Sequence, residues 1–184
     1  MRVMLDACVL YPTVMREVLL GCAAAGLYEP RWSARILEEW ARAAAKLGAA
    51  DEARTRGEIA LLAARFPRAE VRYDPGREAR YWLPDPADVH VLAAAVAGSC
   101  DAIMTMNTKD FPKSVLDDEA LLRKDPDTFL RDLIDVAPDE VAGVAATVLA
   151  EANRLSERDW TIRALMKKAR LPRFGKALDR QCGN

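Results

Sequence analysis

Short apolar runs alternate with bounded helical stretches along the N-terminal part of the chain, and this alternation restricts the fold more than any other feature. Val3-Met4-Leu5 has the pattern of a buried strand. From Pro12 to Ala25 the chain reads as a helix, with a proline at its start and Gly26 at its stop. Leu27 to Trp32 reads as a short extended segment. Ser33 can cap a helix whose Ile36, Leu37, Trp40 and Ala44 share one face, and Gly48 ends it. Asp51 can cap a third helix running to Phe66, and Val71-Arg72-Tyr73 reads as a short strand. Asp85-Pro86-Ala87-Asp88 is a strong helix start, and Ala102-Ile103-Met104-Thr105 is the next strand. Alternating strands and helices predict an α/β fold, a parallel sheet flanked by helices.

The pattern changes after Lys113. Asp125-Pro126-Asp127 and Pro138-Asp139-Glu140 each start a helix, a shorter helix follows around Trp160–Ala169, Leu171-Pro172 breaks it, and Gly175–Gln181 forms a last turn. No strand-like run stands out there. The expected organisation is an α/β domain over 1–118 and an all-helical C-terminal appendix over 125–184. The chain has 184 residues and is 51% apolar, enough for a full core. No apolar run approaches the roughly 20 residues that cross a bilayer. An acid interrupts the short apolar start, so a cytoplasmic protein without membrane contact is expected. Cys8, Cys22, Cys100 and Cys182 form no CxxC pair, which favours reduced thiols over zinc or disulfides.

Four acids stand where a divalent cation would need them. Asp6 directly follows the first strand, Glu39 lies on the Ser33 helix, Asp88 opens the Asp85 helix, and Asp110 closes the segment after the Ala102 strand. Open parallel sheets hold ligands at the C-terminal edge of their strands. Hard cations such as Mg²⁺ and Mn²⁺ prefer oxygen ligands, and they neutralise a phosphodiester under attack by water. Simpler readings stand beside this one. Asp88 can be a helix-start carboxylate, Asp110 a turn cap, and Glu38 rather than Glu39 the inward acid. Thr105 and Asn107 flank the site, either orienting water or phosphate or satisfying loop backbone. His90, the one histidine, points about 200° from Asp88 on an ideal helix and reads as a surface or packing residue.

Taken in order, Leu5-Asp6-Ala7-Cys8, Ile36-Leu37-Glu38-Glu39-Trp40, Asp85-Pro86-Ala87-Asp88-Val89-His90 and Thr105-Met106-Asn107-Thr108-Lys109-Asp110-Phe111 resemble the PIN-domain nucleases, in particular the VapC-type toxins of toxin–antitoxin pairs. The resemblance implies a PIN-like fold and a Mg²⁺- or Mn²⁺-dependent endoribonuclease that leaves 5′-phosphate ends. Its metal acids would be Asp6, Glu39, Asp88 and Asp110, with Thr105 and Asn107 in support. It also implies an RNA substrate, a cognate antitoxin and a homodimer. The helical appendix exceeds compact toxins of this type and looks like the extension of a longer subgroup.

The net charge of −1 conceals a basic stretch from Arg163 to Arg180. Lys167, Lys168, Arg170 and Arg173 in it, with Arg80 ahead of the Asp85 helix, are candidate RNA contacts; a solvated face is the plainer reading. Two other functions compete. A haloacid-dehalogenase-like phosphatase would use Asp6 as nucleophile but needs an acid two residues on, where Cys8 stands. A non-catalytic PIN-like protein that only binds RNA or a partner would not need all four acids.

Overall fold

The computed structural model describes residues 1–156 and 159–182, the side chain of residue 182 excepted. In chain order the elements are β1 (Arg2–Leu5), α1 (Ala7–Leu10), α2 (Thr13–Ala24), β2 (Glu29–Arg31), α3 (Ala34–Ala45), α4 (Ala49–Arg65), α5 (Val89–Ala97), β3 (Ala102–Met104), α6 (Lys113–Asp118), β4 (Leu122–Lys124), α7 (Pro126–Val136), α8 (Pro138–Arg154), α9 (Ile162–Lys168) and α10 (Pro172–Cys182). Single 3-10 segments span Pro75–Arg80 and Pro86–Asp88. The chain divides into two compact units. One comprises Met1–Tyr11 with Glu29–Lys124, the other Pro12–Tyr28 with the chain from Asp125 onward.

The first unit is built on a four-stranded, all-parallel sheet in the order β2-β1-β3-β4. The central strands are apolar because both of their faces are covered. Val3, Met4 and Leu5 of β1 and Ala102, Ile103 and Met104 of β3 are wholly buried. The edge strands read differently. Pro30 sits in β2, at an edge where its missing N–H costs least. β4 is Leu122-Arg123-Lys124, a strand in the stretch after Lys113 where no strand-like run stands out in the sequence, ahead of the helical appendix expected over 125–184. It carries no apolar run because it is exposed. The expected strand at 71–73 is absent, and a single bridge between Trp32 and Glu70 stands near it.

Ser33 caps α3 by accepting from the Ile36 amide, and Ile36, Leu37, Trp40, Ala41 and Ala44 form its buried face. Strand order reverses between β1 and β3, where Leu5 aligns with Met104. The crevice outside such a reversal is where a parallel sheet takes ligands. The expected α/β sheet with C-terminal helices is therefore the observed fold. Among the described residues no helix is long and apolar enough to cross a membrane. Cys8, Cys22 and Cys100 are free thiols; Cys182 lies outside the described side chains.

The second unit is helical among its described residues. Asp125 caps α7 through the Thr128 amide at 2.9 Å, and Pro126 and Pro138 occupy first-turn positions of α7 and α8. Helix α2 packs on α8, and a Cβ at Gly21 would overlap Val144. Alanine there gains about 1 kcal/mol of helix propensity. It also drives a methyl into a β-branched side chain, at about 1–3 kcal/mol. Gly21→Ala is therefore expected to lower the denaturant midpoint of this unit. An unchanged or higher midpoint would show that α2 and α8 can separate without loss.

Candidate metal centre

Asp6 is placed by the sheet. Its amide donates to Met104 O at 3.1 Å, continuing the β1–β3 ladder by one residue. The residue is 7% exposed. Oδ2 accepts from Thr105 Oγ1 at 2.7 Å and from Cys8 Sγ at 3.0 Å. Both bonds fall on one oxygen, so the carboxylate is fixed in orientation. Thr105 in turn accepts from the Asn107 amide at 2.9 Å, and the Asn107 side-chain amide donates to Asp110 Oδ2. Thr105 and Asn107 thus link Asp6 to Asp110 through a continuous set of hydrogen bonds.

Asp88 ends the 3-10 turn before α5 and makes no side-chain cap bond. Its Oδ2 is buried and without a hydrogen-bond partner. A buried carboxylate oxygen left this way is costly. Burial first, and then the charges of Asp6, Asp85 and Asp110, raise the Asp88 carboxyl to about 6. Asp85 caps that turn by accepting from the Ala87 amide at 2.8 Å. Asp85, Asp88 and Asp110 each place a carboxylate oxygen within 4.8 Å of the other two. Hence two of the expected acids meet a third, Asp85, that reads in the sequence only as a cap.

Glu39 stands outside that triad. Its Oε1 lies 2.8 Å from His90 Nε2 and 3.6 Å from Arg35 Nε. Glu38 is turned to Arg56 and Arg42, whose hydrogen bonds hold its carboxyl below the usual range. Arg80 is exposed in the same unit. Lys167, Lys168, Arg170 and Arg173 are exposed in the second unit. Of these, Lys168 lies over the Trp160 ring at 4.8 Å and Arg173 donates to Thr128 Oγ1 at 3.1 Å.

A family comparison adds to this geometry. The model of the PIN domain family matches residues 2–109, more than half of the chain. The chain is a PIN domain protein. No curated protein and no solved structure matches it. PIN domains are in general nucleases that use a divalent metal, and the residues here fit one. The donors are hard oxygens, three carboxylates converge, and the orphaned Asp88 oxygen has no partner from the protein.

A proton competes with a metal for Asp88. The carboxyl is ionised above about pH 6 and protonated below it. Mn²⁺ affinity is therefore expected to level off at neutral pH and to fall toward tenfold per pH unit below about 6. Calorimetry across that range checks it. Equal affinity at about pH 5 and about pH 7 would exclude Asp88 as a ligand.

Proposed function

We propose that this PIN domain protein is a Mg²⁺- or Mn²⁺-dependent endoribonuclease and the toxin of a VapC-type toxin–antitoxin pair. One observation carries the catalytic part, the convergence of Asp85, Asp88 and Asp110 around a carboxylate oxygen with no protein partner. These three would hold the metal, with Asp6 beside them and Glu39 at the margin. When bound, the metal would supply positive charge for the phosphodiester and lower the pKa of water. The protein's own contribution is orientation. Thr105 and Cys8 fix Asp6, and Asn107 fixes Asp110, so the acids need little rearrangement on binding. Hydrolysis adds water across the P–O3′ bond, leaving a 5′-phosphate and a 3′-hydroxyl.

The test is cleavage of labelled RNA with Mn²⁺, with Mg²⁺ and with EDTA, followed by analysis of the ends. Cleavage that survives EDTA, or ends bearing a 3′-phosphate, would overturn the reading. The phosphatase reading has little support, because Cys8 occupies the position of its second acid and burial pushes that thiol up to about 12.

The toxin role rests on the resemblance of these motifs to the VapC-type toxins. It predicts growth arrest on expression, relieved by co-expression of a cognate antitoxin that blocks the acidic site, and a homodimer in sedimentation. The exposed bases Lys167, Lys168, Arg170 and Arg173, together with Arg80, would contact the RNA backbone. Arg80→Ala with Lys167→Ala and Lys168→Ala is expected to weaken RNA binding and flatten its salt dependence, leaving Mn²⁺ affinity unchanged. RNA binding with an unaltered salt slope would remove these residues from the interface.

A further inference from the structure

Helix α5 is apolar where it is buried, with Val89, Val91, Leu92, Ala93, Ala94 and Ala95 in the core. His90 interrupts that set. Its ring is 0% exposed, and neither ring nitrogen makes an aligned hydrogen bond. Packing does not explain an imidazole here. An unsatisfied buried polar group costs about 1–3 kcal/mol, and an aliphatic residue would avoid that. What the ring does touch is Glu39, with Nε2 2.8 Å from Oε1.

Glu39 has a rival partner. Arg35, one helical turn earlier, lies 3.6 Å from the same oxygen. Arg35 is itself engaged with Glu78 at 3.2 Å, and Glu78 accepts from Tyr73 at 2.7 Å. Those ion pairs are partly exposed, and exposed ion pairs hold a geometry weakly. A buried ring is a firmer anchor. It also joins Glu39, on α3, to the helix whose start carries Asp88.

We infer that His90 is a positioning residue for Glu39, holding that carboxylate at the α5 side of the metal centre against the pull of Arg35. The inference rests on the nuclease reading for its consequence, since Glu39 matters only if a metal is held nearby. Partners of this kind typically change metal affinity or activity about 10–100-fold when removed.

The experiment compares His90→Leu, His90→Asn and His90→Gln for Mn²⁺ affinity by calorimetry, melting temperature without metal, and RNA cleavage. Glutamine places an amide near the position of Nε2, and asparagine does not reach it. His90→Leu is expected to melt no lower than wild type yet bind Mn²⁺ about tenfold more weakly. His90→Asn should weaken binding similarly, and His90→Gln should restore most of it. In a Glu39→Gln background, His90→Leu should add less than about twofold, because the two act as one unit. Wild-type Mn²⁺ affinity in both His90→Leu and His90→Asn would overturn the inference. So would losses that follow melting temperature in all three variants, or full additivity with Glu39→Gln. Wild-type protein that binds Mn²⁺ but cuts no RNA would defeat the nuclease reading alone, leaving the affinity comparison to decide on His90.

Discussion

Asp88→Asn is expected to lower the proposed metal-dependent RNA cleavage by at least about 10²-fold, the scale seen when one transition-state-stabilising group is removed. Asparagine keeps the shape and one oxygen but loses the negative charge. Asp88 carries the orphaned oxygen among three converging carboxylates. It is therefore the acid whose loss leaves the others least able to retain a dication. Raising the Mn²⁺ concentration should recover only part of the rate. Cleavage within a factor of a few of wild type, at equal metal, would show that the triad is not the catalytic centre.

The same substitution should stabilise the metal-free protein. The folded state raises the Asp88 carboxyl from 3.8 to about 6, so ionising it disfavours folding. The sign follows from linkage. Below about pH 4 the group is protonated in both folded and unfolded chains, and asparagine gains nothing from this source. Above about pH 6 it is ionised in both, and the folded chain carries the whole penalty. Asp88→Asn should thus stabilise the metal-free protein at neutral pH by an amount on the order of 1 kcal/mol after solvent screening at the open side of the centre, read as a raised melting temperature. The gain should shrink as pH falls. Such a trade of stability against function is what a site kept for its charge would show. A variant less stable than wild type at neutral pH would mean that Asp88 serves the fold.

The sheet and its helices are legible wherever burial forces a one-sided pattern. β1 and β3 are central and wholly buried, so their runs are apolar. β4 is not legible, because an exposed edge strand needs no apolar residue; Arg123 instead donates to the carbonyls of Thr108 and Phe111. α10 is longer than the expected last turn, since Pro172 begins it and does not merely end the preceding helix. At the candidate metal centre, Asp88 and Asp110 stand out because one opens a helix and the other closes the segment that follows a strand. Asp85 does not, because a cap and a metal donor look alike until the neighbouring loop is placed beside them. His90 reads in the sequence as a surface or packing residue, and its burial in α5 is the packing outcome. The contact with Glu39 depends on how α3 packs, which no local spacing encodes.

Asp127→Ala is expected to cost about 3–4 kcal/mol of stability in the second unit. α10 begins at Pro172, which has no N–H, so its first donors are the amides of Arg173 and Phe174. Leu171, the preceding residue, has no side chain that can cap. The acceptor comes from another helix. Asp127, in the first turn of α7 and 7% exposed, accepts from Arg173 N at 3.1 Å through one oxygen and from Phe174 N at 2.9 Å through the other. A carboxylate at a helix N-terminus also favours the macrodipole. Alanine would strand both amides beside the wholly buried Phe174. Asparagine should lose less, since one oxygen can still accept while its amide faces a donor. Denaturant titration measures the total. Hydrogen exchange locates it, with the early amides of α10 opening first and Mn²⁺ binding unchanged. Equal midpoints for Asp127→Ala and wild type would mean that α10 is held by its apolar face alone, through Phe174 and Leu178.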